Sequence, residues 1–293
     1  ADGAGVELGA LLKLNFWPEV TAATVGLRFC SLVTFADAGG GPLVGKTSDH
    51  PLISLRFLAL QRVANAGCHS YLRATFVGTL STRAGLNDAG LAVVGAALVP
   101  ATQNLHGVPF QALIQAILEE CDSVEAAVAL AETMPAFTYG AHIMVADAAG
   151  DAAVIERMPD AVGVRRPAGG LLFNTNHPLA PETRHLNAAD ANLDANSHAR
   201  YERLAVLTQA APRDVAGMQA ILRDHTQPGA ICQHGGPADL HTTAAFVIVP
   251  AAGEFYMAAG CPCQHPFLRY TVGERLAFGE LDRAQRREYT ERP

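Results

Sequence analysis

The 293-residue chain is 49% apolar and 17% charged, an ordinary composition with enough apolar material to bury a sizeable core. Its formal charge of −7 argues against a nucleic-acid partner, which needs a basic face to meet phosphates, and no Lys/Arg run suits an anionic membrane surface. No apolar stretch reaches the roughly 18 residues a membrane span needs. The segment Ala1–Lys13 lacks the basic-then-apolar pattern of a secretory signal, so cytoplasmic residence is expected, and the missing initial Met leaves an upstream segment open.

In chain order, strand-like runs fall at Ala22–Phe35, Gly41–Gly45, Ala74–Leu80 and Leu91–Leu98. Helical periodicity follows in Pro109–Glu120 and Ser123–Met134, with Ser123 as N-cap and Glu125 in the first turn of the second. Further strands are expected at Ala141–Ala146, Ala152–Arg157, Val162–Arg166 and Leu171–Asn174. Two more amphipathic helices, Ala199–Ala210 and Asp214–Leu222, precede a last strand pair, Ala244–Pro250 and Glu254–Gly260. Turns such as Ala38-Gly-Gly-Gly41, Asn87-Asp-Ala-Gly90 and Pro250-Ala-Ala-Gly253 separate neighbouring strands. No repeat or linker divides the chain, which reads as one domain over 1–293. Paired strands with helices grouped between them indicate α+β layers, a mostly antiparallel sheet sandwich flanked by helices.

Six cysteines stand at 30, 68, 121, 232, 261 and 263, too few for a disulfide scaffold. Cys232-Gln-His234 and Cys261-Pro-Cys263 are the close pairs. One residue between ligands is poor geometry for a single tetrahedral ion, so no metal is expected.

Cys30 lies in an apolar strand, where a cysteine is usually an inert core thiol. Its neighbourhood points elsewhere. After a glycine-rich turn comes Gly45-Lys-Thr-Ser-Asp49, and a hairpin of that span returns Lys46 and Asp49 to the side of Cys30. A lysine favours the thiolate, and a carboxylate can hold an ammonium group in place.

Cys30-Ser followed by Gly45-Lys-Thr-Ser-Asp49 resembles the start of the mature chain in cysteine N-terminal-nucleophile (Ntn) hydrolases. These are the acyl-coenzyme A:6-aminopenicillanic acid acyltransferases and the related choloylglycine hydrolases and penicillin V acylases. Thr82-Arg-Ala-Gly-Leu-Asn-Asp-Ala-Gly-Leu-Ala92 resembles a family segment that places an asparagine near the oxyanion. Asn174-Thr-Asn-His177 and Ser197-His-Ala-Arg-Tyr-Glu-Arg203 resemble two further elements. Cys232-Gln-His234 and Gly260-Cys-Pro-Cys263 look like the acyltransferase branch. One departure stands out: Lys46 occupies a position where the family usually has Arg, and a single mobile charge does not replace a planar fork.

The resemblance implies an αββα four-layer sandwich and a chain cut between Phe29 and Cys30 into associated fragments 1–29 and 30–293. It implies Cys30 as nucleophile, its freed α-amino group as base, and Asn87 and Asn176 as oxyanion donors. Asp49 would hold the ammonium group, with Arg200 and Lys46 beside it. No metal or organic cofactor is implied, and the substrate is a small-molecule amide or acyl thioester.

Other readings stay open. Asn87 can be a turn residue only, and Asn174 and Asn176 share strand parity, so alternation does not choose between them. None of the histidines, His177, His225, His234 and His265 among them, is assigned a catalytic role. An internal thiol hydrolase using Cys68-His69 or Cys232 would need no self-cleavage, and a non-catalytic binding domain would need no nucleophile. The apolar residues Leu52, Ile53, Leu55, Phe57, Val99, Leu105, Val108 and Phe110 favour an apolar acyl group. Homo-oligomerisation is left open.

Overall fold

The computed structural model describes residues 5–15, 29–102, 104, 106–135, 139–235 and 240–276. Strand β1 (Phe29–Phe35) turns at Gly41, whose φ of +99° suits a residue without a Cβ, into β2 (Leu43–His50). The expected strand residues 22–28 lie outside the described set. β2 runs further than anticipated and carries the whole Gly45-Lys-Thr-Ser-Asp49 segment inside a strand.

Thirteen strands are described, all laterally paired antiparallel. The first sheet has the order β10 (Leu171–Asn174), β1, β2, β11 (His241–Val249), β12 (Glu254–Ala259), β13 (Leu268–Thr271). The second runs in chain order through β3 (Leu58–Val63), β4 (Tyr71–Phe76), β5 (Thr82–Asn87), β6 (Leu91–Leu98), β7 (Gly140–Asp147), β8 (Ala152–Arg157) and β9 (Val162–Arg165).

Between the sheets lies a core rich in small residues, with Ala74, Ala84, Ala92, Ala96 and Ala146 facing Leu32, Val44 and Phe246. Helices α1 (Phe110–Glu120) and α2 (Val124–Thr133) cover the outer face of the second sheet. Phe110, Leu113, Ile114, Ile117 and Leu118 form the buried stripe of α1 at helical spacing. Ser123 sits at the N-cap of α2 without capping through its side chain; Asp147 instead accepts from the Val124 N–H at 2.9 Å. Glu125 reaches out to Arg166.

Helices α3 (Ala191–Ala210) and α4 (Val215–Arg223) cover the first sheet, with Leu204, Met218, Ile221 and Leu222 packed on Val33, Phe35 and Val247. α3 begins eight residues before the expected Ala199. Asp190 caps it, accepting from the N–H groups of Asn192 and Leu193. The result is four layers, helix–sheet–sheet–helix, the expected αββα sandwich. Among the described residues no helix is long and apolar enough to cross a membrane.

Candidate active site

The β1–β2 register sets Phe29 opposite Asp49, Cys30 opposite Ser48 and Leu32 opposite Lys46. The hairpin thus returns Lys46 and Asp49 to the side of Cys30. β10 pairs with β1 only from Leu32 onward, ending at Asn174. Beyond that point side chains take the place of a neighbouring strand. Asn176 Oδ1 accepts from the Cys30 N–H at 3.0 Å, and Arg200 donates to the Cys30 carbonyl at 2.6 Å.

Arg200, on α3, has no solvent exposure. Its guanidinium also donates to Ser31 Oγ (3.1 Å), Asn176 Oδ1 (2.8 Å) and Asn196 Oδ1 (2.7 Å), and stacks 5.1 Å from the Phe29 ring. Asn176 is fixed from three directions: its amide donates to Ala97 O at 2.9 Å and its backbone N–H to Ser197 Oγ at 2.7 Å, besides the contacts to Oδ1.

Lys46 is buried and donates to the Arg83 carbonyl at 2.6 Å. Burial lowers its pKa to about 8, opposed by Cys30 and Asp49 and assisted by the Arg83 charge. Asp49 is fully buried, and burial raises its carboxyl to about 7 against the pull of Arg200, of Thr242 and of Lys46. Thr242 donates to Asp49 Oδ1 at 2.7 Å, while Oδ2 has no hydrogen-bond partner among the described residues. A buried acceptor left unsatisfied is costly, of order 1–3 kcal/mol.

Asn87 does not join this group. On β5 it shares a face with Gly85, which packs under Leu118 of α1. Its amide donates to the carbonyls of Leu118 (3.1 Å) and Cys121 (2.8 Å), and its Oδ1 accepts from the Leu91 N–H (2.8 Å). It closes the end of a helix and has no hydrogen left for an oxyanion, so the expectation for Asn87 is corrected. Asn174 also turns away, toward His142 and Arg165. His177 contacts Ser197 Oγ at 2.8 Å and stacks on His198.

Of the apolar residues expected to line a pocket, Leu52, Ile53 and Phe57 lie exposed on a 3-10 turn just after Asp49. Leu55, Val99 and Val108 are half-buried, Phe110 belongs to the α1 core, and Leu105 lies outside the described residues. Cys68 is exposed, and its neighbour His69 is held by Asp88 at 2.8 Å at the surface. Cys232 is buried, and a hydrogen bond with Cys261 together with burial pushes its thiol up, the direction that quiets a nucleophile.

Thr242, Arg83 and Ser197 Oγ enter the site without having been singled out. Arg83 is reached through a register shift opposite Ala74 and Thr75, which no periodicity announces. Thr242 opens β11 directly across from Asp49.

Two antiparallel sheets packed face to face between layers of helices are the architecture of the Ntn hydrolases. Three solved structures share the fold. Penicillin V acylase from Agrobacterium tumefaciens matches with a TM-score of 0.53 at 15% identity, covering 78% of this chain and 82% of that one. An N-acylethanolamine-hydrolyzing acid amidase ortholog from Caenorhabditis elegans gives 0.52 at 16%, over 76% and 93%. A mutant conjugated bile acid hydrolase from Clostridium perfringens gives 0.50 at 14%, over 87% and 100%. No match was found among curated protein sequences. The family model of acyl-coenzyme A:6-aminopenicillanic acid acyl-transferase matches residues 37–264, and the chain belongs to that family.

Proposed function

We propose that the protein is a self-processing cysteine amidohydrolase or acyltransferase whose nucleophile is Cys30, freed by cutting the Phe29–Cys30 bond. The observation that carries this reading is the surround of that one peptide. Asn176 takes its N–H, Arg200 takes the next carbonyl, and Asp49 stands across from Phe29 with a buried oxygen that no described group satisfies. A new ammonium group on Cys30 supplies hydrogens for both Asn176 Oδ1 and Asp49 Oδ2.

In the precursor the Cys30 thiolate attacks the Phe29 carbonyl, the peptide nitrogen leaves as the α-amine, and water hydrolyses the resulting thioester. That amine, with an intrinsic pKa near 8, then serves as base to its own thiol. Substrate acylates Cys30, and water or an amine releases the acyl group. The amide hydrogen of Asn176 that is not donated to Ala97 O stabilises the oxyanion, while Lys46 favours the thiolate. The exposed Leu52, Ile53 and Phe57 after Asp49 favour an apolar acyl chain on an amide or thioester. Association of fragment 1–29 with the rest after the cut is supported by Asn15, whose Oδ1 accepts from the Leu80 N–H at 2.6 Å.

Intact mass of freshly purified protein under denaturing conditions tests the reading. Two species dividing between Phe29 and Cys30 are expected, and a single uncut species from Cys30→Ala. An uncut wild-type chain that hydrolyses amides at full rate would overturn it.

A further inference from the structure

We propose that Cys232, His234, Cys261 and Cys263 form a tetrahedral site for zinc or a similarly soft divalent cation. Each close pair offers two ligands from one short segment. The first follows α4 and leads to β11; the second lies in the turn leaving β12. Taken alone, neither pair holds an ion, but the fold brings them together.

The Cys232 and Cys263 sulfurs are 3.7 Å apart, Cys232 Sγ is 3.5 Å from His234 Nε2, and His234 Nε2 is 3.1 Å from Cys263 Sγ. Zinc bonds of about 2.3 Å to sulfur and 2.0–2.1 Å to nitrogen make tetrahedral edges of roughly 3.8 and 3.5 Å. The donors of Cys232, His234 and Cys263 therefore stand near bonding positions already. The Cys261 donor lies within 4.8 Å of those of Cys232 and His234 and is hydrogen-bonded to Cys232. Three thiols and one imidazole are a structural zinc set. Cys232 and Cys261 are buried, Cys263 is half-buried and His234 is exposed, which leaves an entry path from solvent. A Cys232–Cys263 disulfide would need the sulfurs to close to about 2.05 Å and would leave the convergence of His234 and Cys261 unexplained.

The site bears on the nucleophile's surroundings. Gln233, between two of the ligands, donates its backbone N–H to Thr242 Oγ1 at 2.7 Å and accepts from the Thr242 N–H at 2.9 Å. Thr242 in turn donates to Asp49. A cation on Cys232 and His234 pins the segment that aims the Asp49 carboxylate, a clause that rests on the role proposed for Asp49.

The test uses untagged full chain purified without chelator. Metal analysis is expected to find equimolar zinc, and cobalt exchange to give thiolate charge-transfer bands with tetrahedral d–d absorption. Cys263→Ser and His234→Gln, both near the surface, are expected to lose the metal while keeping their far-ultraviolet circular dichroism. Cys30→Ala is expected to keep both zinc and an uncut chain, so the metal site and self-processing fail separately. Protein that binds neither zinc nor cobalt at equimolar supply, or that yields a Cys232–Cys263 disulfide on unreduced peptide mapping, overturns the proposal.

Discussion

Asn87 and Asn176 are both buried asparagines in recognisable motifs, and their hydrogen bonds assign them opposite duties. Asn87 makes three bonds that tie β5 to the end of α1 and to β6, each contributing about 1 kcal/mol. Asn87→Ala is expected to lower stability by roughly 2–4 kcal/mol in urea denaturation while the folded fraction keeps its turnover. Asn176→Ala is expected to do the reverse, cutting processing and turnover by about a hundred- to a thousandfold. Asp49 adds a pH signature. Its folded pKa of about 7 lies above the ordinary 3.8, so the native state holds this proton more tightly than the unfolded chain. Its contribution is fully favourable below about 3.8 and is lost as pH rises through about 7. In the uncut Cys30→Ala background, Asp49→Asn is therefore expected to gain melting temperature relative to Asp49 at pH 8 and not at pH 4. An equal gap at both values would contradict the burial argument.

At the scale of elements, local preference and packing sometimes disagree. Gly217 lies inside α4, where alanine is intrinsically better by about 1 kcal/mol. A Cβ there would overlap the Pro212 backbone carbonyl, and Asp214 caps the same residue's N–H. Overpacking against fixed backbone costs about 1–3 kcal/mol, so Gly217→Ala is expected to lower the melting temperature. A rise would mean that the loop before α4 yields freely. The same competition explains what the sequence concealed. β3, β5 and β13 are not signalled in the sequence: β3 and β13 are edge strands with weak alternation, and β5, Thr-Arg-Ala-Gly-Leu-Asn, has no apolar run although it lies inside its sheet. The first two turns of α3, Ala-Asn-Leu-Asp-Ala-Asn-Ser-His, lack an apolar stripe and are set by the Asp190 cap. The interior strands β6 and β8 are legible to the residue, since both their faces are buried and their turns are explicit, and so is the edge strand β10.

For the whole molecule, the pairing of Cys30 with Lys46 and Asp49 was legible because one hairpin delivers all three. The proposed oxyanion residue is harder to read. Residues 174 and 176 share parity on paper, but β10 ends at Asn174, and only then does Asn176 turn toward Cys30. The cysteine pairs at 232 and 261 were judged singly, since nothing local reveals that β11 and β12 bring two segments 29 residues apart into contact. The stop of β10 at Asn174 has a mechanical consequence for the proposed cut. Cys30 sits in a notch of the sheet edge, its amide and carbonyl tied to side chains rather than to a strand. The proposed cut would release just the first described rung of the β1–β2 ladder, Phe29 opposite Asp49, and the new amine would keep the tether to Asn176. The nicked protein and its uncut Cys30→Ala counterpart are accordingly expected to unfold in urea with the same steepness, one cooperative transition each. A shallower or two-step transition for the nicked form would show that the severed bond had been part of the frame.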